Sequence, residues 1–231
     1  MEGPWSHIPG RLREIRRRMG EAAARVGRDP EDLRLVLISK TAPPEAVQAA
    51  YRAGHREFGE NRVQEALSKI DALPADVVWH MVGHLQSNKV NKVLGRFDLV
   101  QSVDSLGLAE RLSEKSLERE ISSAILVEVN CSGDENKKGV GPGEAAEFTM
   151  RLAELRGIVV QGLMTIGPLA GGEEGARRAF GLLRNIHGEL LSEGHPSLPL
   201  GTLSMGMSDD FEIAIEEGAT MLRLGRAVFA P

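Results

Sequence analysis

Eight short apolar runs recur along this chain, and helix-like patterns fill most of the intervals between them. The runs cover 34–40, 56–59, 77–82, 98–103, 124–129, 159–166, 201–205 and 221–224. Each has strand length, and most are rich in aliphatic residues. Residues 44–53 read as a helix that opens on proline and stops at Gly54. Residues 105–119 are amphipathic, with Asp104 expected as the N-cap. Residues 143–155 and 175–191 also show helical spacing. Strands that alternate with helices build a parallel sheet, and eight such units close into a (β/α)8 TIM barrel. A chain of 231 residues without a Pro/Gly/Ser linker fits one such domain over 1–231.

An extra helix is expected before the first strand. Ile8, Leu12, Ile15, Met19, Ala22 and Val26 recur at steps of three and four, which makes one apolar face. Arg11, Arg13, Arg16, Arg17 and Arg18 form a basic cluster in the same segment. Glu14 and Glu21 inside the run argue against a transit peptide. The short stretch after the eighth strand has little room for a closing helix. The N-terminal helix is therefore expected to cover that gap on the barrel's outer wall.

Composition excludes several function classes. A net charge of -5 argues against a general affinity for nucleic acid, which needs phosphate-neutralising Lys and Arg. A single cysteine, Cys131, rules out an internal disulfide and makes a reducing cytoplasm the default compartment. No apolar stretch approaches membrane-spanning length, and no signal-peptide core is evident. No exposed apolar helix face stands out, so a monomer is expected.

Active sites of such barrels lie at the C-terminal ends of the strands. Lys40 closes the first run. A buried lysine there loses solvation, and a neutral amine is a nucleophile toward aldehydes; a surface lysine just past the strand is the plainer alternative. Ser204, Gly206 and Ser208 follow the seventh strand, and Gly225 follows the eighth. Glycine lets backbone N–H groups approach an anion, and the serines add hydroxyl donors. The same segment also reads as an ordinary turn with Ser208 or Asp209 as N-cap. Loops after strands seven and eight are a frequent phosphate site in barrels, which favours the anion reading.

Other polar residues read more plainly. His80 and His84 stand four apart, but on a strand and its loop with no carboxylate motif, so metal ligation is not expected. His80 is expected to pack within the barrel or against a loop. Cys131 reads as a buried structural thiol. Lys137 and Lys138 read as solvated. Glu60 reads either as a base or as a cap of the next helix.

Several segments resemble a known family. They are Leu37-Ile38-Ser39-Lys40-Thr41, Phe58-Gly59-Glu60-Asn61 with Val63-Gln64-Glu65, Trp79-His80 with Gly83-His84-Leu85-Gln86-Ser87-Asn88-Lys89, Leu163-Met164-Thr165-Ile166, Leu203-Ser204-Met205-Gly206-Met207-Ser208 and Arg223-Leu224-Gly225. In order and spacing the chain resembles the pyridoxal phosphate homeostasis protein family over roughly residues 7–230. The resemblance implies a barrel similar to the N-terminal domain of alanine racemase. It implies pyridoxal 5'-phosphate (PLP) held as a Schiff base on Lys40. It further implies phosphate contacts from Ser204, Gly206, Ser208 and Gly225, and Arg223 facing the pyridine nitrogen. Asn61, His84 and Met164 match the motifs that line the pocket.

The chain departs from that family at two positions. Ala42 stands where many members carry a second lysine, and Arg226 where a small or hydroxyl residue is common. Arg226 is thus either a surface substitution or a phosphate ligand. Members are associated with PLP and amino-acid homeostasis, and PLP-dependent apoenzymes are the expected partners. Two enzyme readings compete: a PLP-dependent racemase or decarboxylase, and a Schiff-base aldolase. Racemisation needs acid–base groups on both faces of the cofactor, and the single tyrosine, Tyr51, falls on an expected outer helix. An arginine at the ring nitrogen weakens the electron sink. Both points favour cofactor binding without substantial turnover.

Overall fold

The computed structural model describes residues 4–134, 136–168, 170–195 and 197–230. Its strands are β1 (Arg34–Ile38), β2 (Glu57–Glu60), β3 (Val78–Met81), β4 (Leu99–Val103), β5 (Ser123–Glu128), β6 (Ile158–Met164), β7 (Thr202–Ser204) and β8 (Met221–Leu224). All pair in parallel, in sequence order, and β8 returns to β1 to close the barrel. The helices are α1 (Ile8–Arg25), α2 (Pro44–Arg52), α3 (Val63–Ile70), α4 (Val90–Val93), α5 (Leu106–Glu118), α6 (Ala145–Ala153), α7 (Gly172–Glu193), α8 (Phe211–Glu216) and α9 (Arg226–Phe229). All eight expected strands are present, most of them trimmed by a residue or two.

The period-two alternation of a strand decides what enters the barrel. On β1, Leu35 and Leu37 face the helices, while Val36 faces inward. Val36, Leu99, Leu126, Met164 and Met221 form the inner apolar layer. On β8, Leu222 and Leu224 belong to the outer core, so the intervening Arg223 points inside. The same parity turns His80, Gln101, Glu128 and Ser204 inward. All four are buried.

The N-terminal helix covers the seam where β8 meets β1, as its apolar stripe predicts. Ile8, Leu12, Ile15 and Met19 are buried, and α1 packs on α2, α8 and α9. Its arginines fasten it there. Arg18 donates twice to Glu212 at 3.0 Å and lies over the Phe211 ring, and just beyond the helix Arg28 donates to the Ile215 carbonyl at 2.8 Å. Arg17 pairs with Glu14 and Glu21 on the helix surface. The basic cluster is thus part of the fold.

Asp104 does not cap α5. Ser105 holds the N-cap position and makes no side-chain cap bond. Asp104 instead stands 3.7 Å from His84 Nδ1. The N-cap of α8 is Asp210 rather than Ser208 or Asp209, and its Oδ1 accepts from the Met207 amide at 2.5 Å.

Candidate functional site at the barrel mouth

Residues from seven strand ends line a cavity of about 430 Å³ at the C-terminal face. Lys40, Asn61, His84 and Arg223 all border it. Lys40 also borders a neighbouring alcove of about 340 Å³, with Trp5, Thr41, Gly225, Arg226 and Phe229. It therefore sits between the two spaces.

The argument from burial at Lys40 fails. β1 ends at Ile38, and Lys40 is exposed at the rim. Thr41 follows with φ +65° in the left-handed region, so the chain turns sharply off the barrel there. Among the described residues, the Lys40 amine has no hydrogen-bond or ion-pair partner. The buried lysine near this end is Lys69 on α3. Its Nζ donates to Glu60 Oε1 at 2.6 Å and to the Ser39 carbonyl at 2.7 Å. Glu60 is fully buried and also accepts from Ser39 Oγ at 2.6 Å. Glu60 is therefore neither a free base nor a cap of α3. Together with Lys69 it clamps the segment that carries Lys40.

Arg223 forms the charged floor. It is 3% exposed, and it donates to Ser204 Oγ at 2.6 Å and to the Thr165 carbonyl at 2.7 Å. Ser204 Oγ donates to Gln101 Oε1 at 2.7 Å. Gln101 Nε2 lies 2.9 Å from His80 Nδ1, and His80 Nε2 lies 3.4 Å from Glu57 Oε2. Arg34 pairs with Glu57 in turn, at 2.9 Å. A polar chain thus crosses the barrel interior from the N-terminal face to the mouth. Burial lowers the pKa of Arg223 to about 10, with Glu128 and Asp210 opposing. The guanidinium stays charged at neutral pH. Burial would raise the Glu57 carboxyl, but His80 and Arg34 outweigh it and hold it at about 2.

The expected phosphate residues are distributed differently. Ser204 is fully buried below the cavity, its hydroxyl engaged by Gln101 and Arg223. Met164 is also fully buried, in the inner apolar layer. Neither borders the cavity. Gly206 has φ +93°, and a Cβ there would fall 2.5 Å from Ala214 Cβ. A Cβ on Gly225 would fall 2.9 Å from the Ile38 carbonyl oxygen. Both glycines therefore permit close backbone approach. Ser208 Oγ accepts from the Ala227 amide at 3.3 Å, which joins the loops after β7 and β8. Arg226 pairs with Asp209 across the same two loops, and both side chains are exposed.

Comparison with known proteins fits this geometry. Residues 11–231 match the N-terminal domain family of alanine racemase. A pyridoxal phosphate homeostasis protein of Aquifex aeolicus is 42% identical over 220 residues, covering 95% of this chain and 96% of the relative. The chain belongs to the pyridoxal phosphate homeostasis protein family. The member from Escherichia coli K12 is 36% identical over 228 residues, covering 96% of this chain and 95% of its own. The solved structure of PipY from Synechococcus elongatus, with PLP bound, superposes with a TM-score of 0.83 at 36% identity. That match covers 96% of this chain and all of PipY. An alanine racemase of Clostridium difficile shares the fold alone, with a TM-score of 0.75 at 14% identity. This chain covers 55% of that racemase.

In this member of the homeostasis family, the cavity holds charged groups that the sequence did not single out. Lys137 and Lys138 both line it: Lys138 is exposed, as expected, whereas Lys137 is half-buried and its Nζ donates to the Gly167 carbonyl at 2.9 Å. Glu128 lines it from the end of β5. Burial raises its carboxyl to about 7, helped by Asp104 and opposed by Arg223 and Lys138. The signal for Glu128 was its parity with Leu126, which turns it inward. Cys131 is buried as expected, and burial pushes its thiol up to about 11. Tyr51 lies on outer helix α2 and donates to Asp76 at 2.8 Å.

Proposed function

We propose that this chain binds PLP at the barrel mouth and serves intracellular PLP homeostasis, with the cofactor held as a Schiff base on Lys40. The observation that carries this reading is an unpartnered lysine amine beside a buried, charged arginine in one cavity. The PLP carried by PipY, a close structural relative, supports it. When bound, PLP supplies an aldehyde that condenses with a primary amine and releases water.

The chain's own residues then divide the work. Lys40 offers the amine. The loops holding Gly206, Ser208 and Gly225 bring backbone close to the phosphate, as glycine permits. Asn61 and His84 close the cavity from β2 and β3. Ser204 and Gln101 act from below, by holding Arg223. Arg223 keeps a cation at the ring nitrogen. A cation there disfavours protonation of that nitrogen and weakens the electron sink that amino-acid chemistry needs. This favours storage and transfer of PLP to apoenzymes over turnover of amino acids.

Borohydride reduction followed by peptide mapping tests the assignment. The pyridoxyl label should appear on the peptide that contains Lys40. A label found mainly on Lys89, Lys137 or Lys138 would overturn it.

A further inference from the structure

A second cavity, of about 560 Å³, opens on the N-terminal face, where α1 passes the entries to β1 and β2. PLP at the mouth gives it no task. Arg16, Arg34, Arg56, His55 and Glu57 border it; among the described residues no lysine does, so no imine forms there. Glu31, the other acid on this wall, is exposed. Arg16 is exposed and, among the described residues, has no hydrogen-bond or ion-pair partner. Arg56 engages Asp76 and two backbone carbonyls through Nε and Nη1, which leaves Nη2 without a hydrogen bond among the described residues. Arg34 makes three bonds to the Glu57 carboxylate, the shortest 2.9 Å. Behind Glu57 lies an unmet donor. His80 is fully buried, and its Nδ1 accepts from Gln101 Nε2 at 2.9 Å, so the neutral ring carries its proton on Nε2. That N–H has no hydrogen-bond partner among the described residues; Glu57 Oε2 stands 3.4 Å away and is engaged by Arg34. A buried donor without an acceptor is unfavourable.

We propose that this cavity binds a small multivalent oxyanion, which draws Arg34 off Glu57 and lets Glu57 close on the His80 Nε2–H. Three guanidinium groups on one wall suit a ligand with several oxygens, since each offers a planar fork to phosphate or carboxylate. More than one negative charge is needed, because the ligand displaces a carboxylate already bonded to Arg34. A monovalent anion has no advantage over Glu57. In the exchange the ligand takes Arg34, Glu57 takes His80, and the unmet donor disappears. The inference stands on the face opposite the mouth, and it holds whether or not Lys40 carries PLP.

Histidine-ring NMR of the full chain, incubated with PLP and freed of excess cofactor, tests it. Pyrophosphate, citrate and chloride are titrated at matched ionic strength. His55 borders this cavity, His80 lies behind it and His84 borders the mouth, so the three rings report separately. Pyrophosphate or citrate should move the His55 and His80 signals to saturation and leave His84 unmoved; which of the two binds tighter tells a phosphoryl source from a carboxylate one. Chloride should move none of them. Arg16→Ala removes one charge-assisted bond and should weaken binding by about tenfold. Arg16 is exposed and unpartnered among the described residues, so the folding of that variant is not at risk. Arg34→Gln frees Glu57 without a ligand, so its His80 signal should already lie where that of the bound wild type ends. Affinity in Arg16→Ala equal to wild type would overturn the site. So would shifts confined to His84, chloride shifts equal to those of the polyanions, or no saturable shift of His55 and His80 with either polyanion.

Discussion

Arg223 Nη1 donates to Ser204 Oγ at 2.6 Å inside the barrel, and both side chains are buried. Ser204 in turn donates to Gln101. The serine next to the glycine-containing loop thus positions the arginine and is taken up by that role. Ser204→Ala should lower stability by about 1–3 kcal/mol, because it leaves a buried donor on Arg223 and an acceptor on Gln101 unmet. If PLP binds as proposed, with Arg223 at its ring, the variant should also shift the cofactor's absorption, since that arginine loses one anchor. Denaturant unfolding and a visible spectrum check both, and an unchanged spectrum with full stability would remove the positioning role.

The Glu60–Lys69 pair is a second buried polar unit, closed at 2.6 Å. Lys69→Met should destabilise by about 3–5 kcal/mol, because it strands a buried carboxylate. Glu60→Gln combined with Lys69→Met should recover much of that loss. Urea midpoints of the single and double variants provide the measurement. A single variant as stable as wild type would show that the pair contributes nothing.

Glu128 links stability to pH. Its carboxyl rises from the ordinary 4.5 to about 7 in the folded chain. The folded state therefore holds the proton over a range where the unfolded state has lost it. Stability from this group is full below about 4.5 and falls as pH rises to about 7. The fall amounts to at most about 3 kcal/mol. Subtracting the pH–stability curve of Glu128→Gln from that of wild type isolates the effect. A flat difference between those pH values would contradict it.

Gly206→Ala combines a left-handed φ of +93° with a Cβ placed 2.5 Å from Ala214 Cβ. The neighbour belongs to α8, so the β7 loop or the helix must shift. A loss of about 1–3 kcal/mol is expected, together with weaker retention of PLP. Thermal unfolding and equilibrium dialysis would detect these effects, and retention equal to wild type would place the phosphate elsewhere.

Arg226 and Asp209 are paired but exposed. Arg226→Ala should change stability by less than about 1 kcal/mol. If PLP affinity also stays unchanged, Arg226 is a surface substitution and no phosphate ligand. A tenfold loss of affinity would assign it to the phosphate.

The sequence alone determined the barrel and the direction of most site side chains. Strand alternation is local: Leu222 and Leu224 face outward whatever the rest of the chain does, so Arg223 faces in. The same alternation turns Glu128 inward, opposite in direction to Val127. The lysine and glycines of the motifs were legible as candidates for the same reason, because their places at the strand ends are local features. Tertiary structure decided which polar groups remain available to a ligand. Ser204 finds Gln101 at a separation of 103 residues, and Lys69 rather than Lys40 is the buried lysine. Among the described residues Glu128 makes no side-chain hydrogen bond, since Arg223 is already engaged by Ser204 and the Thr165 carbonyl. Hydrogen-bond saturation depends on residues brought together by barrel closure, and no local pattern records those distances.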